Sequence, residues 1–76
     1  MSARWRQARS SDLIRVARKL GFEKDRQRGS HAIYIRKSDR ARVVIPVHKS
    51  KSIKPKTLSG IIGDLGLTVK EFEEML

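Results

Sequence analysis

Apolar residues recur along this chain with two different periods, and the change of period marks out its elements. Leu13, Val16, Ala17 and Leu20 fall at i, i+3, i+4 and i+7, with Arg15, Arg18 and Lys19 on the other faces. That spacing predicts an amphipathic helix. Ser10, Ser11 and Asp12 supply N-cap chemistry before it, and Gly21 with Phe22 forms a stop signal after it. Leu58, Ile61, Ile62 and Leu65 repeat the helical spacing, with Pro55 placed for the first turn and Gly66 for the stop. Thr68 and Glu71 make a capping box, with Leu67 and Phe72 spaced to staple it, so a short last helix runs to the C-terminus.

Between the first two helices the period falls to two. Residues 22–28 are polar and read as an edge strand. Residues 32–37 and 42–47 are rich in Ile, Val and Tyr and read as strands. Gly29-Ser30 and Ser38-Asp39-Arg40 separate them with turn chemistry. Short connections make sequential strands antiparallel neighbours, and Pro46 suits an edge or a strand end. The order α-β-β-β-α(-α) predicts an α+β fold of two layers, a three-stranded antiparallel sheet with helices packed on one face. This is the topology of double-stranded-RNA-binding domains. If Ile33 and Ile35 face the helices, His31 shares their side and approaches the start of the second helix, while Tyr34 and Val44, with Pro46 beside them, are left on the open face.

Composition narrows the function classes. Seventy-six residues make one small domain, which buries only about 60% of the surface its unfolded chain exposes. A shallow site for an extended ligand fits that size better than a deep pocket. With no cysteine, disulfides, thiolate zinc sites and thiol nucleophiles are excluded. Neither a membrane-spanning run nor a secretory leader is visible, so the expected location is the cytoplasm.

Charge changes the picture most. Lys plus Arg number 18 against 8 Asp plus Glu, a net charge of +10. Residues 1–20 hold six basic and one acidic side chain, residues 21–56 eleven and three, and residues 57–76 one and four. The polarity reverses along the chain, which predicts a dipolar domain with a basic working face for nucleic acid. Residues 1–10 form a basic arm, in which Trp5 is expected to pack back on the domain rather than stack on a base. Residues 11–76 form the domain proper.

Two places carry candidate chemistry. The basic segment 48–54 leads into the second helix and brings Lys49, Lys51, Lys54 and Lys56 to a helix N-terminus, where backbone N–H groups and the helix dipole favour an anion. The other is His31, after the Gly29-Ser30 turn and beside Arg26 and Arg28, with Ser30 as a further phosphate contact. Histidine serves as acid or base near neutral pH. Metal-free RNA cleavage needs a base for the ribose 2′-hydroxyl and cations for the phosphorane. Taken alone, a histidine beside a turn is more often a surface residue. His48 is the other histidine and a candidate auxiliary acid or phosphate contact. No motif for a nucleotide-binding loop is present, and no paired carboxylates suggest a metal nuclease. Neither a metal nor a small-molecule cofactor is expected.

The run Gly29-Ser30-His31-Ala32-Ile33-Tyr34, preceded by Leu20-Gly21-Phe22 and followed by Val43-Val44-Ile45-Pro46-Val47-His48, resembles the HicA (YcfA-like) toxins. Lys54-Pro55-Lys56-Thr57-Leu58, Ile61-Ile62, Gly66-Leu67-Thr68 and Glu71-Phe72 extend the resemblance over residues 11–76. It implies the toxin of a type II toxin–antitoxin pair, an mRNA interferase of double-stranded-RNA-binding-like fold that cleaves mRNA without the ribosome. It also implies a HicB-type antitoxin that covers the active site, and it places the family's catalytic histidine on His31. The chain departs from the family pattern in its longer basic arm and in Lys56, where many relatives carry glycine. The competing readings are a non-catalytic RNA-binding module of the same fold and a DNA-binding module using the first helix.

Overall fold

A computed structural model describes residues 4–47 and 52–76. A single 3₁₀ turn, Arg4–Gln7, leads into α1 (Ser10–Lys19). Strands β1 (Glu23–Arg28), β2 (His31–Arg36) and β3 (Ala41–Pro46) follow, then α2 (Pro55–Asp64) and α3 (Val69–Met75). The strands form one antiparallel sheet in the order β1-β2-β3, as the alternation predicts.

Local chemistry sets the ends of these elements. Gly21 has φ +91°, its N–H donates to Arg18 O, and Phe22 N–H donates to Ala17 O. That is a Schellman stop, in which only glycine takes the left-handed angle without strain. Gly66 ends α2 the same way, with φ +81° and Leu67 N–H donating to Ile62 O. Thr68 and Glu71 form the reciprocal capping box of α3, at 3.1 and 2.9 Å. At α1 the cap differs from expectation. Arg9 is the N-cap residue and its N–H donates to the Asp12 carboxylate at 2.9 Å. Ser10 is instead the first helical residue, buried, and its Oγ donates to Pro46 O, which ties the start of α1 to the end of β3.

The core lies between the helices and one face of the sheet. Leu13, Val16 and Ala17 of α1, Leu58, Ile61 and Ile62 of α2 and Phe72 of α3 pack with Ala32, Tyr34, Val43 and Ile45. The faces of β2 are therefore the reverse of the expected ones. Ala32 pairs with Ile45 and Tyr34 with Val43, and these four meet the helices, with Tyr34 only 2% exposed. Ile33 pairs with Val44 and is not part of that cluster. His31, Ile33 and Ile35 thus occupy the open face with Val44 and Pro46.

The ends of the chain close the layer. Trp5 is half-buried against the core and its backbone N–H donates to Glu73 of α3 at 3.0 Å, as expected for a packing rather than a stacking role. Arg36 braces the opposite end. It donates to Leu20 O at 2.9 Å, lies 4.6 Å from the Phe22 ring centroid, and grips Asp39 through Nε and an η nitrogen at 3.0 and 2.8 Å. Asp39 also accepts from Ala41 N–H, closing the β2–β3 turn. Hydrogen bonding to Arg36 is the main cause that holds the Asp39 carboxyl below its ordinary value.

Candidate active site

Arg28 and His31 are a cross-strand pair joined by the two-residue turn Gly29-Ser30. Gly29 has φ +57°, as the first position of a type II′ hairpin turn requires. Gln27 Nε2 donates to Gly29 O at 3.1 Å, and Lys24 Nζ donates to Gln27 Oε1 at 2.8 Å. These bonds steady the turn from the helix side. Ser30 O accepts from Val47 N–H at 2.6 Å, which fixes the turn to the end of β3. His31 therefore leaves from a turn held on two sides, while its own ring is exposed.

Strand register gives the surroundings of His31. Side chains directly opposite on neighbouring strands have Cβ atoms about 4.5–5.5 Å apart. Arg28 holds that place on β1 and Pro46 holds it on β3. Arg26 pairs with Ile33 and so lies on the same face as Arg28, about 6.7 Å further along β1. Both arginines are exposed, and the Asp25 carboxylate stands 3.9 Å from Arg26 Nε. A bulge between Lys24 and Arg26 takes Asp25 out of the pairing. Apolar Ile33, only 4% exposed, forms the floor beside the histidine.

α2 packs against the other side of the sheet through Leu58, Ile61 and Ile62. The expected helix-side position of His31 is corrected: its side of β2 is the one that α2 does not cover. The reason is that β2 carries apolar residues on both faces, so period two alone sets no phase. Lys54 is the N-cap residue of α2 and Lys56 follows Pro55, both exposed. His48, Lys49 and Lys51 lie outside the described residues. Arg42, exposed on β3 and paired with Ile35, also stands on the open face. Sequence reasoning missed it because the inverted phase of β2 set His31 on the helix side, away from the face that Arg42 shares with Val44 and Pro46.

An exposed histidine beside an arginine, on a sheet face that no helix among the described residues covers, is an arrangement able to move a proton next to a bound phosphate. No helix among the described residues is long and apolar enough to cross a membrane. No curated protein matches the chain in sequence comparison. A family model described as "HicA toxin of bacterial toxin-antitoxin" matches residues 10–67, from the first residue of α1 to just past the Gly66 stop. That span contains the whole sheet, the braced Gly29-Ser30-His31 turn, and α1 and α2 of the helix layer on the other face. By that match the chain belongs to the HicA toxin family of bacterial toxin–antitoxin systems, and its family implies a cognate antitoxin as partner.

Proposed function

We propose that this toxin is an endoribonuclease that cleaves mRNA on the open face of its sheet, with His31 as the acid–base residue. The observation that carries the reading is the pairing of exposed His31 with Arg28 across the Gly29-Ser30 turn. In the reaction the neutral imidazole takes the proton of a ribose 2′-hydroxyl. The 2′-oxygen attacks the adjacent phosphorus, the bond to the 5′-oxygen breaks, that oxygen takes a proton from solvent water, and the imidazolium returns its own proton to solvent. The products are a 2′,3′-cyclic phosphate and a 5′-hydroxyl.

Arg28 supplies the cation nearest the reacting phosphate among the described residues, where negative charge grows in the phosphorane. Arg26 holds the neighbouring phosphate. Ser30 is exposed in the turn and available to a phosphate oxygen. Lys54 and Lys56 form a separate cationic point at the start of α2, and Lys49, Lys51 and His48 belong to the segment that leads there.

Purified His31→Ala protein tests the assignment. It is expected to bind RNA with nearly the parent's affinity and to lose cleavage, while the parent leaves 2′,3′-cyclic ends. A His31→Ala protein that cuts RNA at the parent's rate would remove His31 from the mechanism. A parent that binds RNA and cuts none would favour the non-catalytic binding module.

A further inference from the structure

The open face is a grid of three rows fixed by the strand register. Arg28, His31 and Pro46 form the first row, and Arg26, Ile33 and Val44 the second. Glu23, Ile35 and Arg42 form the third. Charge is unevenly distributed over it. Along β1 two arginines give way to the carboxylates of Asp25 and Glu23, both exposed. Along β3 an apolar pair gives way to Arg42. A polyanion leaving the His31 row along β1 runs into negative charge. One that crosses the half-buried Ile35 and Val44 surface diagonally meets a cation. Arg42 has no ion pair among the described residues. The turn beyond it carries Lys37 and Arg40, both exposed, while the Asp39 carboxylate there is occupied by Arg36.

We propose that Arg42 is a positioning residue that grips the RNA backbone a few nucleotides from the scissile phosphate and so sets the direction in which the strand crosses the sheet. The inference rests on the reading of the open face as the RNA site. Arg42 stands about 13 Å along the sheet from the His31 row, too far to touch the reacting atoms. Its effect therefore falls on binding and not on the chemical step. A phosphate contact here needs charge more than a planar fork, so lysine should substitute for it.

The test compares the parent with Arg42→Ala and Arg42→Lys. Binding is read by fluorescence anisotropy on 2′-O-methyl RNAs of increasing length, which lack the nucleophile and cannot be cut. Arg42→Ala is expected to weaken the longer RNAs about fivefold and to flatten the slope of log affinity against log salt by about 0.7. The shortest RNAs that still bind should not distinguish the two proteins, and Arg42→Lys should restore both readouts. Extending the RNA on its 5′ or its 3′ side tells which arm reaches Arg42. On cleavable RNA, Arg42→Ala should raise KM and leave kcat unchanged. Equal affinity and salt slope for parent and Arg42→Ala on every RNA would overturn the proposal, as would a fall in kcat at constant KM. A parent that binds the uncuttable RNA but fails to cut the cleavable one would sink the nuclease reading and leave the Arg42 result legible.

Discussion

Val43 and Val44 are consecutive, identical in chemistry and opposite in fate. Val43 is 1% exposed against the helices, whereas Val44 stands half-buried on the open face beside Ile33. The same division runs through β2, where Ala32 and Tyr34 are core and His31 is exposed. One face of the sheet packs against the helices, and no helix among the described residues covers the other. The open face is not simply polar, since it carries Ile33, Ile35, Val44 and Pro46 together with Arg26, Arg28 and Arg42. Such a surface can hold a large anion without a pocket, which suits a domain whose shortest dimension is 17 Å.

Neighbouring substitutions test how complete that division is. The largest difference is expected at residues 31 and 32. His31→Ala should melt like the parent while cleavage falls by a factor of about 10² to 10⁴, the range of general acid–base catalysis. Ala32→Asp puts an unpaired carboxylate into the core at a cost of several kcal/mol, and should show no cooperative melting transition by circular dichroism. A folded, active Ala32→Asp protein would mean that the helix-covered face is looser than its packing implies.

Arg28→Ala is next. Single-turnover cleavage should fall about a hundredfold, as when one donor to a developing oxyanion is removed. Gln27→Ala, one residue away on the helix side, should change cleavage far less and act only through the turn it steadies. Equal losses would make Arg28 a structural residue. In denaturant unfolding, Val43→Ala should cost about 2 kcal/mol and Val44→Ala less than about 1 kcal/mol. Equal costs would show that the open face also packs like a core.

The smallest effect concerns the far end of the sheet. Arg36 lowers the Asp39 carboxyl below its ordinary value of 3.8. A carboxyl depressed in the folded state adds stability above its unfolded value, and that contribution is lost as the pH falls through the lower folded value. Asp39→Asn should therefore be slightly less stable than the parent at neutral pH, with the gap closing below about pH 3.8. Asp39 is exposed and Arg36 only partly buried, so the gap should be small and should shrink in salt. A gap that stayed constant to low pH would assign the effect to something other than the carboxylate's charge.

Much of the fold was legible from local signals, because those signals act locally. The glycine stops at Gly21 and Gly66 require a left-handed backbone that other residues take at a cost. The Thr68–Glu71 box satisfies N–H groups within one turn of helix. The two-residue turn at Gly29-Ser30 forces β1 and β2 into register and pairs Arg28 with His31. The sequence by itself therefore determined the element order, the antiparallel meander, the basic character of the chain and the adjacency of His31 to Arg28. Its Gly-Ser-His motif also pointed to the family that the match over residues 10–67 establishes.

Only the tertiary structure decided which way β2 faces. His31-Ala32-Ile33-Tyr34-Ile35-Arg36 is apolar on both alternate sets, so period two describes it equally well in either phase. The phase follows from what must be filled. Leu13, Leu58, Ile62 and Phe72 enter from the helices and form one core cluster with Ala32 and Tyr34 of β2. Arg36 then lies on the helix side, within reach of Leu20 O, Phe22 and Asp39. That one choice moved His31 from the helix side to the open face, the face that Arg42 shares with Val44 and Pro46.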